Sequence, residues 1–111
     1  MNLTPEFLKV KQVSGNVQTY LPEYAFDVKI LRDEKESHYV ILLTLTGSSL
    51  CAYIYYYPGN SEWFLEMSIG EDIIVSKEKF PENLLEKFEV LERYLSEYET
   101  EISNSNKAHR C

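Results

Sequence analysis

The sequence from His38 to Tyr57 reads HYVILLTLTGSSLCAYIYYY and predicts one long β-hairpin. Gly47-Ser48 separates two runs rich in β-branched and aromatic residues. A two-residue loop that begins with glycine is typical of a type II′ turn, which suits the twist of paired strands. This turn places Leu45 opposite Leu50 and sets every pair farther out. Because side chains alternate along a strand, one face of the hairpin is then free of charge.

The flanking segments extend the hairpin into a meander of four strands. Pro58-Gly59-Asn60-Ser61 has the composition of a turn, so residues 62–69 form the next strand. Upstream, a turn at Glu34-Lys35 makes residues 24–31 the preceding strand. Four uncharged rows then cross one face of the sheet: Tyr24-Leu45-Leu50-Ile69, Phe26-Leu43-Ala52-Met67, Val28-Ile41-Ile54-Leu65 and Ile30-Tyr39-Tyr56-Trp63. A slip of one residue in an outer strand would bring charged side chains into these rows.

The first 21 residues allow two interpretations. Thr4-Pro5-Glu6 is typical of a helix start, with threonine as N-cap and proline at the first helical position. However, residues 7–13 also alternate like a strand, Ser14-Gly15-Asn16 is typical of a turn, and β-branched residues lie on both sides of it. We therefore expect two strands here. With a further edge strand at residues 73–76, the order of seven strands and a terminal helix resembles the pleckstrin-homology architecture, although the acidic charge does not suit phosphoinositides.

After Pro81 the hydrophobic period changes from two to about 3.6. Apolar residues recur at spacings of three and four: Leu84, Phe88, Leu91, Leu95, Tyr98 and Ile102. This pattern predicts one C-terminal amphipathic helix, which starts at Pro81 or is capped by Asn83. A coiled coil is the alternative, but the stripe is short for one. The predicted fold class is α+β: an antiparallel meander of four strands, up to seven, with the helix packed across the uncharged face.

Length, charge and composition bound the kind of protein. A chain of 111 residues predicts a single domain, residues 1–102, followed by a flexible polar tail at residues 103–111. The net charge of −7 argues against direct binding of nucleic acid or an anionic membrane and permits a basic protein partner. We see no signal peptide and no apolar run that could span a membrane. Cys51 and Cys111 do not make a disulfide framework, so we expect a reduced, cytoplasmic protein.

The predicted register argues against several kinds of chemistry. Cys51 and His38 lie roughly 20 Å apart along the hairpin, too far for a catalytic pair. Asp27 and Glu66, at the ends of the row Asp27-Leu42-Tyr53-Glu66, are about 14 Å apart, whereas glycosidase carboxylates lie within about 9.5 Å. The sequence has no His-x-x-x-His or Cys-x-x-Cys spacing and no glycine-rich phosphate loop. We therefore expect no enzymatic activity, no catalytic residue, no metal and no cofactor.

Two surfaces remain as candidate binding sites. The first, called the tyrosine face here, is the outer side of the sheet and consists of Val40, Leu42, Tyr53, Tyr55, Tyr57 and Phe64. Tyrosine is enriched at protein interfaces, and an apolar patch rimmed by charge often marks a binding site. The alternative is that residues 1–21 fold over this face and bury it.

The second candidate surface is the C-terminal helix, where seven acids and two bases lie between Glu82 and Glu101. Its candidate binding residues are Glu82, Glu86, Glu89, Glu92 and Glu97. An acidic surface of this kind attracts a basic partner or imitates the charge of a nucleic acid. The alternative is an ordinary solvated helix face.

These surfaces, rather than any reaction chemistry, carry the functional hypothesis. We expect a small acidic protein-binding domain that acts as an inhibitor, immunity or anti-defence factor by covering a surface of its partner. One alternative is a small-molecule-binding module with its ligand between the sheet and residues 1–21. The other is a structural protein that self-associates through the outer sheet face as a two-fold homodimer.

Overall fold

The computed structural model describes residues 4–104, apart from the side chain of Leu84. It contains a five-stranded antiparallel sheet in which the strands follow one another in chain order. The strands are β1 (Phe26–Asp33), β2 (His38–Leu45), β3 (Leu50–Tyr57), β4 (Glu62–Ile69) and β5 (Asp72–Phe80). The predicted α+β class with an antiparallel meander is confirmed. The edge strand β5 is longer than the predicted residues 73–76.

The register of the three central strands is confirmed. Tyr39 lies opposite Tyr56, and Tyr56 in turn lies opposite Trp63. Gly47 has a left-handed φ of 81°, but the Ser48 backbone N–H donates to the Leu45 carbonyl at 3.2 Å, so Gly47 is the third residue of a turn from Leu45 to Ser48 and the predicted two-residue loop is wrong. The pairing of these strands is therefore as predicted, although the turn between β2 and β3 is not.

The predicted register between β1 and β2 is wrong by two residues. Ile30 lies opposite Ile41 instead of Tyr39, and Arg32 takes the place opposite Tyr39. The Arg32 guanidinium donates a hydrogen bond of 3.1 Å to the Tyr39 hydroxyl, and Arg32 is exposed, so the charge that enters the row remains in contact with solvent. Because a shift of two residues preserves the alternation, each side chain of β1 still lies on its predicted face.

The cause of this shift lies in the turn between β1 and β2. The loop consists of residues 34–37, so its centre is one residue later than the predicted Glu34-Lys35 turn. Asp33 Oδ1 accepts hydrogen bonds from the backbone N–H groups of Lys35 and Glu36, at 3.0 and 3.1 Å. An aspartate that accepts from the backbone two and three residues later stabilises a turn that begins at its own position.

The N-terminal segment forms a helix, α1 (Pro5–Tyr20), so the prediction of two strands is wrong. The helix start was recognised correctly: Thr4 Oγ1 accepts a hydrogen bond of 3.1 Å from the Phe7 backbone N–H. Val10, Val13 and Val17 are buried on one side of this helix, at the spacing of a helical stripe. Their burial outweighs the strand preference of β-branched residues. The resemblance to the pleckstrin-homology element order is therefore lost.

The C-terminal segment forms three helices instead of one: α2 (Glu82–Glu86), α3 (Glu89–Glu97) and α4 (Glu99–Asn104). Phe88, at a left-handed φ of 57°, separates α2 from α3 while its side chain is buried. Pro81, and not Asn83, occupies the N-cap position of α2. Ser103 and Asn104 of the predicted tail belong to α4, and residues 105–111 of that tail lie outside the described residues.

The helices and one face of the sheet enclose a common core. The core joins the inner rows of the sheet to apolar residues of α1, of α3 and of the segment between α2 and α3, among them Val10, Val17, Ile41, Ile54, Leu65, Phe88, Leu91 and Leu95. The predicted docking of apolar helix residues on the uncharged sheet face is thus correct, although an N-terminal helix shares that face. None of the helices in the described part of the chain is long and apolar enough to cross a membrane.

Candidate functional site

The structure brings the six predicted residues of the tyrosine face together on the side of the sheet opposite the core. Val40 pairs with Tyr55, Leu42 pairs with Tyr53, and Tyr55 pairs with Phe64. All six side chains are partly exposed, whereas their neighbours along the same strands are buried. Residues 4–21 pack into the core on the other side through α1. Within the described residues, the alternative that this segment buries the tyrosine face is therefore wrong.

The register of β1 changes the border of the tyrosine face. Lys29, instead of Asp27, lies opposite Leu42, so the predicted row that starts at Asp27 is corrected. Leu31 lies opposite Val40 and is 48% exposed, so it extends the apolar part of the face toward the sheet edge. The face is therefore broader than predicted, with a cation at this border.

A lysine from β5 lies over the aromatic rings of the tyrosine face. The Lys77 ammonium is 4.4 Å from the ring centroid of Tyr55, 5.1 Å from that of Tyr57 and 5.8 Å from that of Phe64. It also donates a hydrogen bond of 2.7 Å to the Tyr57 hydroxyl. Ammonium groups within about 6 Å of a ring face are attracted by the ring quadrupole. We call Tyr55, Tyr57 and Phe64 the aromatic cage.

Hydrogen bonds to carboxylates hold the border of the cage in place. The Tyr55 hydroxyl donates to Glu66 Oε1 at 3.0 Å, and burial together with this bond raises the pKa of Tyr55. On the next strand, Lys79 donates to Glu62 Oε2 at 2.8 Å, and this bond lowers the pKa of Glu62. Tyr55 therefore stays protonated near neutral pH, and Glu62 is an ionised acceptor.

Sequence reasoning missed Lys77 because it ended the edge strand at residue 76. Lys77 has a positive φ of 33° and lies within an irregularity in the pairing of β4 with β5, between the pairs Met67–Val75 and Leu65–Glu78. An extra residue in one strand redirects the side chains that follow it. The alternation of lysine and glutamate at residues 77–79 was the available signal, but it does not reveal which face each side chain takes.

The structure divides the five predicted glutamates of the acidic helix into two groups. Glu82 has a structural role: its Oε1 accepts hydrogen bonds from Trp63 Nε1 at 2.9 Å and from Lys9 Nζ at 3.0 Å. Burial opposes the ionisation of Glu82, but these two bonds outweigh it and lower its pKa. The other four, of which Glu86 is half-buried and Glu89, Glu92 and Glu97 are exposed, remain a candidate acidic surface.

A third cluster, absent from the sequence predictions, lies at the turn between β1 and β2. It consists of Asp33, Glu36 and His38, whose potential ligand atoms lie within 4.8 Å of one another. The His38 ring stacks on Tyr57 with a centroid distance of 4.7 Å, so the cluster adjoins the aromatic cage. The search for His-x-x-x-His and Cys-x-x-Cys spacings missed the pattern Asp-x-x-Glu-x-His.

Cys51 does not provide a catalytic thiol. It lies opposite Thr44, as predicted, and is buried. Its sulfur is not free, in contrast to the reduced thiol that we expected. Cys111, like the second histidine of the sequence, His109, lies outside the described residues.

No protein-family model matches the chain, and no curated protein and no solved structure shows significant similarity to it.

Proposed function

We propose that this chain is a protein-binding domain whose tyrosine face accepts a basic segment of a partner protein. The observation that carries the proposal is the aromatic cage, whose three rings surround the Lys77 ammonium within 6 Å. The cage lies on a sheet face that the described helices leave open. Rings arranged to hold one ammonium group suit the lysine or arginine of a partner equally well.

The charges around the cage support a basic partner. Glu66 and Glu62 border it as hydrogen-bond acceptors, and the whole chain carries a net charge of −7. A partner cation would displace Lys77 from the rings, and long-range attraction by the acidic chain would speed the encounter. Lys77 thus acts as an internal competitor that occupies the cage in the unbound protein.

Binding of this kind would cover a basic surface of the partner protein. A domain of this size that occupies the basic surface of a partner keeps other ligands away from that surface. The proposal therefore retains the hypothesis of an inhibitor, immunity or anti-defence factor that acts by surface occlusion. The exposed glutamates of α3 are the competing surface for the same kind of partner.

A titration monitored by nuclear magnetic resonance distinguishes the two surfaces. An oligolysine peptide is added to isotope-labelled protein, with an oligoglutamate peptide of equal length as the negative control. We expect shift changes at Tyr53, Tyr57 and Phe64 and little change along α3. Changes confined to Glu89, Glu92 and Glu97 would overturn the choice of surface, and the absence of any binding would overturn the proposal.

Two lysine variants test the role of the cage itself. Lys77→Gln removes the internal competitor and should strengthen oligolysine binding about 2- to 30-fold, the range of a cation–π interaction of 0.5–2 kcal/mol. Lys79→Gln is the control for net charge. It removes the same charge from the same strand, at a residue whose ammonium pairs with Glu62. If both variants change the affinity equally, the effect is only one of net charge and the cage is not the binding site.

The two alternative functions are less well supported. The interface between α1 and the sheet is filled by core side chains, since Val10 is 0% and Val13 is 3% exposed, so nothing favours a small-molecule site there. Self-association through the tyrosine face stays a hypothesis. Light scattering on the wild type and on Tyr55→Glu tests it, because a dimer that this substitution dissociates would make the face a contact between copies of the chain.

A further inference from the structure

We propose that Asp33, Glu36 and His38 form a binding site for a divalent transition-metal ion, with Zn²⁺ as the best match. The site lies at the turn between β1 and β2, beside the tyrosine face. It is independent of the proposed protein-binding function.

The geometry of the cluster is close to that of an occupied site. The potential ligand atoms of the three residues lie within 4.8 Å of one another, and His38 Nδ1 is 3.8 Å from Glu36 Oε1. At metal–ligand distances of about 2.1 Å, two ligands of a tetrahedral ion lie about 3.4 Å apart. Small rotations of the Glu36 side chain, which is 66% exposed, suffice to close this gap.

The orphaned nitrogen of His38 is a second observation that points to a ligand. His38 is 6% exposed, and its Nδ1 has no hydrogen-bond partner among the described residues. A buried polar atom without a partner is costly, so most such atoms are paired. This nitrogen faces the Glu36 carboxylate at a distance too long for a hydrogen bond. A metal ion between the two groups would satisfy both.

Neighbouring contacts hold two of the three ligands in position. The His38 ring stacks on Tyr57 at an interplanar angle of 22°, which restricts its rotation. Asp33 Oδ1 accepts two backbone hydrogen bonds, so its orientation is set and its second oxygen remains available as a ligand. Such surrounding contacts orient metal ligands in known sites.

The donor set selects the class of metal. One imidazole nitrogen with two carboxylates suits Zn²⁺ and its transition-metal neighbours, whereas Mg²⁺ and Ca²⁺ prefer oxygen ligands alone. Three protein ligands leave at least one position of the ion for water or for a group from a partner. Binding would also fix the turn that connects β1 to β2.

Calorimetry with Zn²⁺ tests the site, in a background that carries His109→Ala so that the only other histidine of the sequence does not contribute. We expect one ion per chain and no comparable binding of Mg²⁺. Asp33→Asn, Glu36→Gln and His38→Gln should each weaken Zn²⁺ binding at least tenfold. Glu34→Gln, in the same loop but outside the cluster, is the matched control and should bind as tightly as the background protein.

Resonances of the imidazole nitrogens show which atom binds the ion. We expect Zn²⁺ to shift the resonance of His38 Nδ1. The Glu36→Gln variant keeps the test decisive even if His38→Gln unfolds, because Glu36 is mostly exposed. Zn²⁺ binding that Glu36→Gln and Asp33→Asn leave unchanged would overturn the proposal. The absence of Zn²⁺ binding would also overturn it.

Discussion

At the scale of single residues, Glu82 shows how one carboxylate can join three elements. Its Oε1 accepts from Trp63 on β4 and from Lys9 on α1, while Glu82 itself begins α2. Trp63 is 1% exposed, so its N–H group cannot turn to solvent if this acceptor is removed. The predicted acidic helix therefore begins with a residue whose main role is to hold the helices against the sheet.

We expect Glu82→Ala to lower the free energy of unfolding by about 1–3 kcal/mol, because the Trp63 N–H then stays buried without an acceptor. Glu82→Gln retains an oxygen acceptor and should lower it less. Urea denaturation measures both values, with the exposed Glu92→Ala as control at about 0.5 kcal/mol or less. Equal effects of Glu82→Ala and Glu92→Ala would contradict the structural role of Glu82.

The same residue predicts a dependence of stability on pH. The pKa of Glu82 is lowered from its ordinary value of 4.5, because the bonds from Lys9 and Trp63 outweigh the opposing effect of burial. The unfolded chain therefore takes up the proton more readily than the folded chain. The stabilisation is fully present above about pH 4.5 and is lost as the pH falls through the folded-state pKa.

Urea denaturation of the wild type and of Glu82→Gln at pH 7 and at pH 3 measures this effect. The difference in unfolding free energy between the two proteins should shrink at pH 3. A difference of the same size at both pH values would show that the charge of Glu82 contributes nothing to stability.

At the scale of elements, two glycines with similar open surroundings have opposite roles. A Cβ atom added at Gly15 or at Gly47 would meet nothing within 4 Å, so sterics do not distinguish them. Gly15 lies inside α1, where glycine is a poor helix former, whereas Gly47 has a left-handed φ of 81° in the turn between β2 and β3. The backbone conformation alone separates the two positions.

We expect Gly15→Ala to raise the free energy of unfolding by about 0.5–1 kcal/mol, because alanine favours the helix and restricts the unfolded chain. Gly47→Ala should lower it by about 1 kcal/mol, because alanine is strained at a left-handed φ. Chemical denaturation of both variants gives the two values. Destabilisation by Gly15→Ala would argue that residues 5–20 are not a helix in solution.

At the scale of the whole molecule, the sheet has one closed face and one open face. Tyr53 and Ile54 are neighbours in β3, but Ile54 is 0% exposed in the core and Tyr53 lies partly exposed on the tyrosine face. The helices account for this asymmetry, because all of the core residues that they contribute pack on the Ile54 side. The proposed binding function rests on this open face.

We expect Ile54→Ala to lower the free energy of unfolding by about 2–5 kcal/mol, the usual result of a cavity in a packed core. Tyr53→Ala should change the free energy of unfolding by about 1 kcal/mol or less, because the Tyr53 side chain is partly exposed. Thermal or urea unfolding of the two variants compares the faces directly. A loss at Tyr53 as large as that at Ile54 would mean that the tyrosine face is covered in solution.

The sequence was sufficient for the sheet and its sidedness. Turn residues such as Gly47 act within a few positions, and strand alternation is a property of the backbone, so both can be read locally. The same locality explains the error of two residues at β1. The charged loop offered no single preferred turn, and the face pattern tolerates any even shift, while the observed register places the bonds of Asp33 in the turn.

Contacts between segments distant in the chain decided everything else. Residues 5–20 have a valine pattern that suits a strand or a helix, and burial against the sheet selects the helix. Phe88 interrupts the predicted C-terminal helix with a left-handed φ of 57°, while its side chain stays buried in the core. Likewise, Lys77 reaches the aromatic cage only through the irregular pairing of β5 with β4. Free energy from packing is shared among elements far apart in sequence, so local patterns alone do not contain it.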